Sequence, residues 1–310
     1  MSASHLRSPR SVECPRILLA HLLPVSVMYE QRHGWQPALN GTCLDSQARP
    51  GHPSKSVRWT RHNDAGKDAD EMNDESEASA LVAAIRAGDV AAVQKLLDEK
   101  PGLASSSLGG KAGSRTPLHI VTDWPGFFPN GPLVVRVLIA AGADPNARDP
   151  GKGSETPLHW AASSDDVEVA SALIEGGADI EAADGSIGTP LDNAVGYACW
   201  DVARLLVAHG ARVDKLWHAA ALGNTTRLEE LLAERPAVEP GELSQAFWHA
   251  CAGGQRRAAE YLLHRGADLN WVPDYAKGTP LDVASGLGTQ RDTLISWLRD
   301  HGAHSSEQQE

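Results

Sequence analysis

Beyond residue 75 the apolar positions fall into a repeated two-part pattern. A short element, opened in four places by Thr-Pro, carries small residues in pairs, as at Ala161-Ala162 and Ala219-Ala220. A longer element follows with apolar residues at i, i+3 and i+4, as in Val167, Ala170, Leu173 and Ile174, the spacing of one helix face. Thr suits the N-cap, where its hydroxyl accepts an orphan backbone N–H, and Pro suits the first helical position, where its missing donor costs nothing. Glycine followed by alanine closes the longer element at Gly142, Gly177, Gly210, Gly266 and Gly302, and a glycine there can adopt the left-handed conformation that ends a helix. Amphipathic helices this short cannot stand alone, so the pattern predicts helix pairs stacked on a shared core.

Residues 1–75 read differently. They are rich in His, Arg, Ser and Pro and show no sustained period of 2 or 3.6, so a disordered N-terminal extension is expected there, with a second short tail at 305–310. Ile17 to Met28 follows Arg7, Arg10 and Arg16 in the manner of a secretory signal, but His21 and Pro24 interrupt it and no small-x-small cleavage site follows. The composition changes abruptly at Met72, which makes that residue an alternative start.

The repeats carry a family resemblance. TPLH occurs at Thr116–His119 and Thr156–His159, and TPLD at Thr189–Asp192 and Thr279–Asp282. Thr156 and Thr189 are 33 residues apart, and each lies 21 residues before its closing glycine. On these motifs the chain resembles the ankyrin-repeat family over residues 76–304, in seven units at 76–104, 115–148, 156–183, 189–215, 216–242, 243–272 and 279–304. The resemblance implies an all-α ankyrin-repeat solenoid of helix-turn-helix units with short β-hairpin fingers. It also implies that His119 and His159 are structural, buttressing neighbouring turns by hydrogen bonds. The first and last units, with charged residues around their apolar stripes, read as caps. Units five and six depart from the pattern, with Leu216-Trp217-His218-Ala219-Ala220 and Phe247-Trp248-His249-Ala250-Cys251 where TPLH would stand. Arg235-Pro236-Ala237 replaces the glycine turn of unit five, so the finger before unit six is expected to be short or absent. The Trp-His-Ala and TPLD variants also look like those of bacterial ankyrin arrays.

Charge and composition narrow the function. The net charge is −12, and residues 1–71 hold nine Lys/Arg against seven Asp/Glu, so the array carries the negative balance. That argues against nucleic acid as a partner. No run approaches eighteen apolar residues, so no membrane span is expected. Cys14, Cys43, Cys199 and Cys251 form no CxxC and no dense framework, which fits a reduced, cytoplasmic setting. The chain shows no GxGxxG, GxxxxGK[ST], GxSxG or HExxH, and the glycine-rich run Gly109–Ser114 fails the phosphate-loop spacing and reads as a finger. No enzyme activity, cofactor or metal is therefore expected, and a monomer is.

Three features could carry function. Thr116 to Gly142 is 26 residues, five more than in units three and four, and the excess reads Trp124-Pro125-Gly126-Phe127-Phe128-Pro129-Asn130-Gly131-Pro132. Aromatics in such a loop either cap helix ends or anchor a partner. In proteins resembling this one, partners contact finger tips and the ends of the first helices, and the two residues after each alanine pair are expected to face that concave groove. The row after each alanine pair is small and mostly uncharged, with Trp124 and Tyr197 as its large aromatics, which suits a bound segment as well as plain close packing. A protein or peptide partner is thus expected at Asp123, Trp124, Phe127, Phe128, Ser164 and Tyr197. The third feature is a polar ladder, Asn193, His218 and His249, at a position that is apolar in Ile120, Trp160 and Val283. Interior hydrogen-bonded histidines explain it, and the alternatives are a metal-dependent enzyme using the His218/His249 region, for which no third ligand is visible, or a secreted effector.

Overall fold

The computed structural model describes residues 65–108, 115–149, 154–235, 237–286 and 291–308. The expectations for residues 1–64, the Ile17–Met28 stretch included, and for the glycine-rich run at 109–114 lie outside these residues. The described residues belong to one compact unit, Lys55–Glu310. Seven helix pairs follow in order among them: α1 (Ala65–Ala87) with α2 (Val90–Glu99), α3 (Pro117–Val121) with α4 (Gly131–Ala140), and α5 (Pro157–Ser164) with α6 (Val167–Glu175). Next come α7 (Pro190–Gly196) with α8 (Trp200–Ala208), α9 (Leu216–Ala221) with α10 (Thr225–Glu234), α11 (Pro240–Ala252) with α12 (Arg256–His264), and α13 (Pro280–Ser285) with α14 (Asp292–Asp300). The first helix starts upstream of residue 76 and contains Met72, and a 3₁₀ turn at Ser306–Gln308 follows the last pair.

The helix boundaries follow the capping chemistry of the sequence. At α7 and α13 the cap is reciprocal: the Thr189 and Thr279 hydroxyls accept the Asp192 and Asp282 N–H at 3.3 Å, and each carboxylate accepts the threonine's own N–H. Asp89, Asp166 and Asn224 cap α2, α6 and α10 by accepting the N–H three residues on. All five Gly-Ala glycines are left-handed, with φ between 87 and 100°, as the closing turns require.

Successive first helices pack on one another, and behind them the second helices of the first four pairs, and of the fifth with the sixth, do so too. Small residues make this possible: Ala161, Ala162, Ala194, Ala219, Ala220 and Ala250 are all fully buried. Among the described residues no strand forms at the fingers. Leu108 and Arg115 exchange two backbone hydrogen bonds, and single bonds close the next two, from Asp149 N–H to the Glu155 carbonyl and from Gly185 N–H to the Gly188 carbonyl. Before the sixth pair, α10 passes through residues 235–239 into an α11 of thirteen residues, a long first helix standing where other units have a finger.

One break interrupts the stack. The apolar core falls into two clusters, one running from Leu81 to Ala211 with Ala221 of α9 added, the other from Leu216 to Ala303, and the half-buried Val213 and Trp217 touch both. Between the fourth and fifth pairs the contact runs through α7 and α9, without a comparable pairing of α8 with α10. A polar seam lies at that junction, with Asp192 and His218 buried and Lys215 half-exposed.

Candidate functional site

The long loop of the second unit folds into a fixed shape. The Trp124–Pro125 peptide is cis, and Gly126, Phe127 and Asn130 all have positive φ. A φ of 57° is costly for a bulky residue such as Phe127, on the order of 1–2 kcal/mol. It is held by the buried Asp166 of the next unit, whose Oδ2 accepts the Phe127 N–H at 2.7 Å while Oδ1 caps α6. Burial pushes the Asp166 carboxyl above its usual range, and the two N–H donors oppose that rise. On the other side the Asn130 amide donates to the Gly88 carbonyl at 2.9 Å. Gly88 has φ +65°, and a Cβ there would lie 1.9 Å from the Pro129 carbonyl oxygen, so only glycine lets the loop approach the first pair. The loop is tied to the units before and after it, and it displays Trp124 at 50% and Phe127 at 61% exposure.

The other expected contacts separate around this loop. Phe128 is half-buried beneath it. Asp123 borders it and binds Arg86 and Arg115. Ser164 is half-buried beside Gly126, and its hydroxyl donates to the Trp160 and Ala161 carbonyls. Tyr197 is 8% exposed and packs within the first core cluster, so its ring offers little surface.

The first-helix polar residues form links between units. His119 and His159 take Thr116 and Thr156 at Nδ1, and their Nε2 atoms lie 3.0 and 2.9 Å from the Glu155 and Gly188 carbonyls of the next finger. Asp192 takes the histidine's place by another route: it accepts from Thr189, from Lys215 and, across the unit boundary, from His218 Nε2. The ladder residues do not bond to one another. Asn193 reaches back to Glu155 and Ser163, His218 back to Asp192, and His249 forward to the Tyr275 hydroxyl at 3.2 Å. Trp217 packs against both histidine rings, 4.3 and 4.9 Å away. Among the described residues no three His, Cys, Asp or Glu side chains converge as metal ligands. No described helix is long and apolar enough to cross a membrane.

A family model for ankyrin repeats, in three copies, matches residues 127–215, from Phe127 of the loop to the end of the fourth unit. The chain carries ankyrin repeats. The human SH3 and multiple ankyrin repeat domains protein 2 is 36% identical over 148 residues, covering 43% of this chain and 8% of that relative's length. The crystal structure of the ankyrin repeat domain of Bcl-3, described as a unique member of the IkappaB protein family, is similar at 26% identity. It covers 71% of this chain and 97% of its own, with a TM-score of 0.43. Ankyrin repeats are generally protein–protein interaction domains.

Several residues that shape this ankyrin site escape a reading by motif. Asp166 reads only as a helix cap, Gly88 only as a turn, and Arg86 and Arg115 as isolated charges 29 positions apart in the chain. The extra length of the second unit was the one signal pointing to their region.

The buried histidine also gives this ankyrin array an acid sensitivity. Burial pushes His249 down from 6.5 to about 3, with the neighbouring His218 adding to the shift. The unfolded chain therefore binds more protons between those values, so stability is full above about pH 6.5 and is lost as the pH falls toward 3. Going from pH 7 to pH 5 should cost about 2 kcal/mol through this residue. Urea denaturation at the two pH values should show a smaller loss in His249→Gln; an unchanged loss would rule His249 out as its source.

Proposed function

We propose that this ankyrin array is a non-enzymatic scaffold that holds a protein or peptide segment along its groove, anchored on the aromatic loop after α3. The observation that carries the reading is the loop itself. A left-handed Phe127, fixed by a buried carboxylate of the next unit, presents its ring and that of Trp124 to solvent. Holding large apolar groups outward at a conformational cost is what a pre-organised binding anchor needs, because ordering is already complete before the partner arrives. Asp123, Phe128 and Ser164 complete the surroundings of the anchor, with Tyr197 supporting the floor from within the core. A monomer in the reducing cytoplasm is the setting proposed, which the free, buried Cys199 and Cys251 support.

Affinity capture from native lysate with the full chain tests this, run beside a Trp124→Ala/Phe127→Ala variant shown to be folded by circular dichroism. A specifically retained protein should be lost with the variant by tenfold or more, the effect of removing two central aromatics. Equal retention by both baits would reject the loop as the anchor.

A further inference from the structure

We propose that the segment held at this loop is acidic, its carboxylates taken by Arg86 and Arg115 while an apolar side chain rests on Trp124 and Phe127. The proposal rests on the docking reading above and adds the chemistry of the ligand. Arg86 Nη2 and Arg115 Nη1 approach the same oxygen, Asp123 Oδ2, at 3.4 and 3.0 Å. Two guanidinium charges thus face one carboxylate immediately before Trp124 in the chain. Two neighbouring carboxylates are engaged elsewhere: Asp166 holds the Phe127 and Val169 N–H groups, and Glu155 accepts from Ser186 and Asn193. Arg115 lies over the Trp160 ring, 4.9 Å from its centroid, which presets the guanidinium plane. Arg86 is half exposed. Its 3.4 Å contact with Asp123, half-exposed on the arginine side, contributes about 0–1 kcal/mol, so a ligand carboxylate can take Arg86 from Asp123 at small cost and pair bidentately, with Arg115 behind it. The chain as a whole is at −12, so an acidic segment is repelled along much of the array and attracted here, which fixes where it sits.

Panning a displayed library of random dodecapeptides on the full chain tests the proposal. Enriched sequences should place Asp or Glu beside an aromatic or large aliphatic residue. A synthetic consensus peptide should bind about tenfold more weakly to Arg86→Ala/Arg115→Ala and weaken as salt is added. Asp123→Asn removes the competing carboxylate and should tighten binding by roughly two- to fivefold, a gain that mere loosening of the loop cannot produce. A neutral or basic consensus that is still lost in Trp124→Ala/Phe127→Ala would overturn the acidic ligand and leave the docking patch standing. A consensus indifferent to both variant pairs would overturn both. No enrichment at all would reject a linear acidic segment, with the capture experiment then deciding the patch separately.

Discussion

Phe247→Ala is expected to cost about 3–5 kcal/mol and to split the unfolding transition in two. Phe247 heads the fully buried side chains by size and lies in the second core cluster, which serves the last three helix pairs. In a stack of repeats, stability is a sum of each unit's own term and its contacts with neighbours. The contact between the fourth and fifth pairs is made through α7 and α9 and a polar seam, so it transmits less of that loss than an apolar interface would. The fifth to seventh pairs should therefore open at lower urea while the first four stay folded. Hydrogen exchange read peptide by peptide by mass spectrometry would show residues 216–304 exchanging first. A single transition, with every helix exchanging at one free energy, would show that the seam couples the two halves as tightly as the apolar core does.

Asp192→Ala should have a comparable effect for a different reason, about 3–5 kcal/mol. The carboxylate is buried and accepts from the Thr189 N–H and hydroxyl at 2.6 and 2.9 Å, from Lys215, and from His218 Nε2 at 3.0 Å. Removing it leaves the Thr189 N–H of the α7 cap unpaired, worth about 1 kcal/mol, and a buried imidazole N–H without its acceptor. Lys215 is partly exposed and can turn to water, so its share is small. Burial alone would raise the Asp192 carboxyl, but the hydrogen bonds from His218, Lys215 and Thr189 outweigh it and hold the group well below the usual carboxylate range. A depressed value means that this stabilisation is complete above about pH 3.9 and lost as the pH falls below it. Urea titrations of wild type and variant should therefore differ widely at pH 7 and converge in acid. A difference under about 1 kcal/mol at pH 7 would mean that water replaces the carboxylate in the seam.

The repeat architecture was legible because each of its signals is local. Thr-Pro and Gly-Ala act within one or two turns of the chain, and Thr189 with Asp192 or Thr279 with Asp282 complete their caps three residues apart. The missing finger before the sixth pair was legible for the same reason, since a glycine turn is either present in the sequence or not. The aromatic loop announced itself by length, yet which of its rings faces out did not follow from length. Phe127 and Phe128 are neighbours in sequence, and only the left-handed backbone at Phe127 separates the exposed ring from the half-buried one. The pattern placed Tyr197 in the groove row beside Trp124, whereas the structure buries it within the first core cluster.

By itself the sequence determined the all-α repeat, the number of helix pairs, their caps and the place of the irregular loop, since all of these depend on chemistry between residues near in the chain. Only the tertiary structure decided the rest. Asp166 reaches Phe127 across 39 residues, Gly88 makes room for Pro129 across 41, and Arg86 meets Arg115 at Asp123. At Asp192 the core meets His218 from the next unit and Lys215 from the end of its own. Lys215 apart, these contacts join separate units, and a repeat pattern fixes where units stack but not which side chains meet across the gap, which depends on the packed distance between helices and on the shape of the loops they carry.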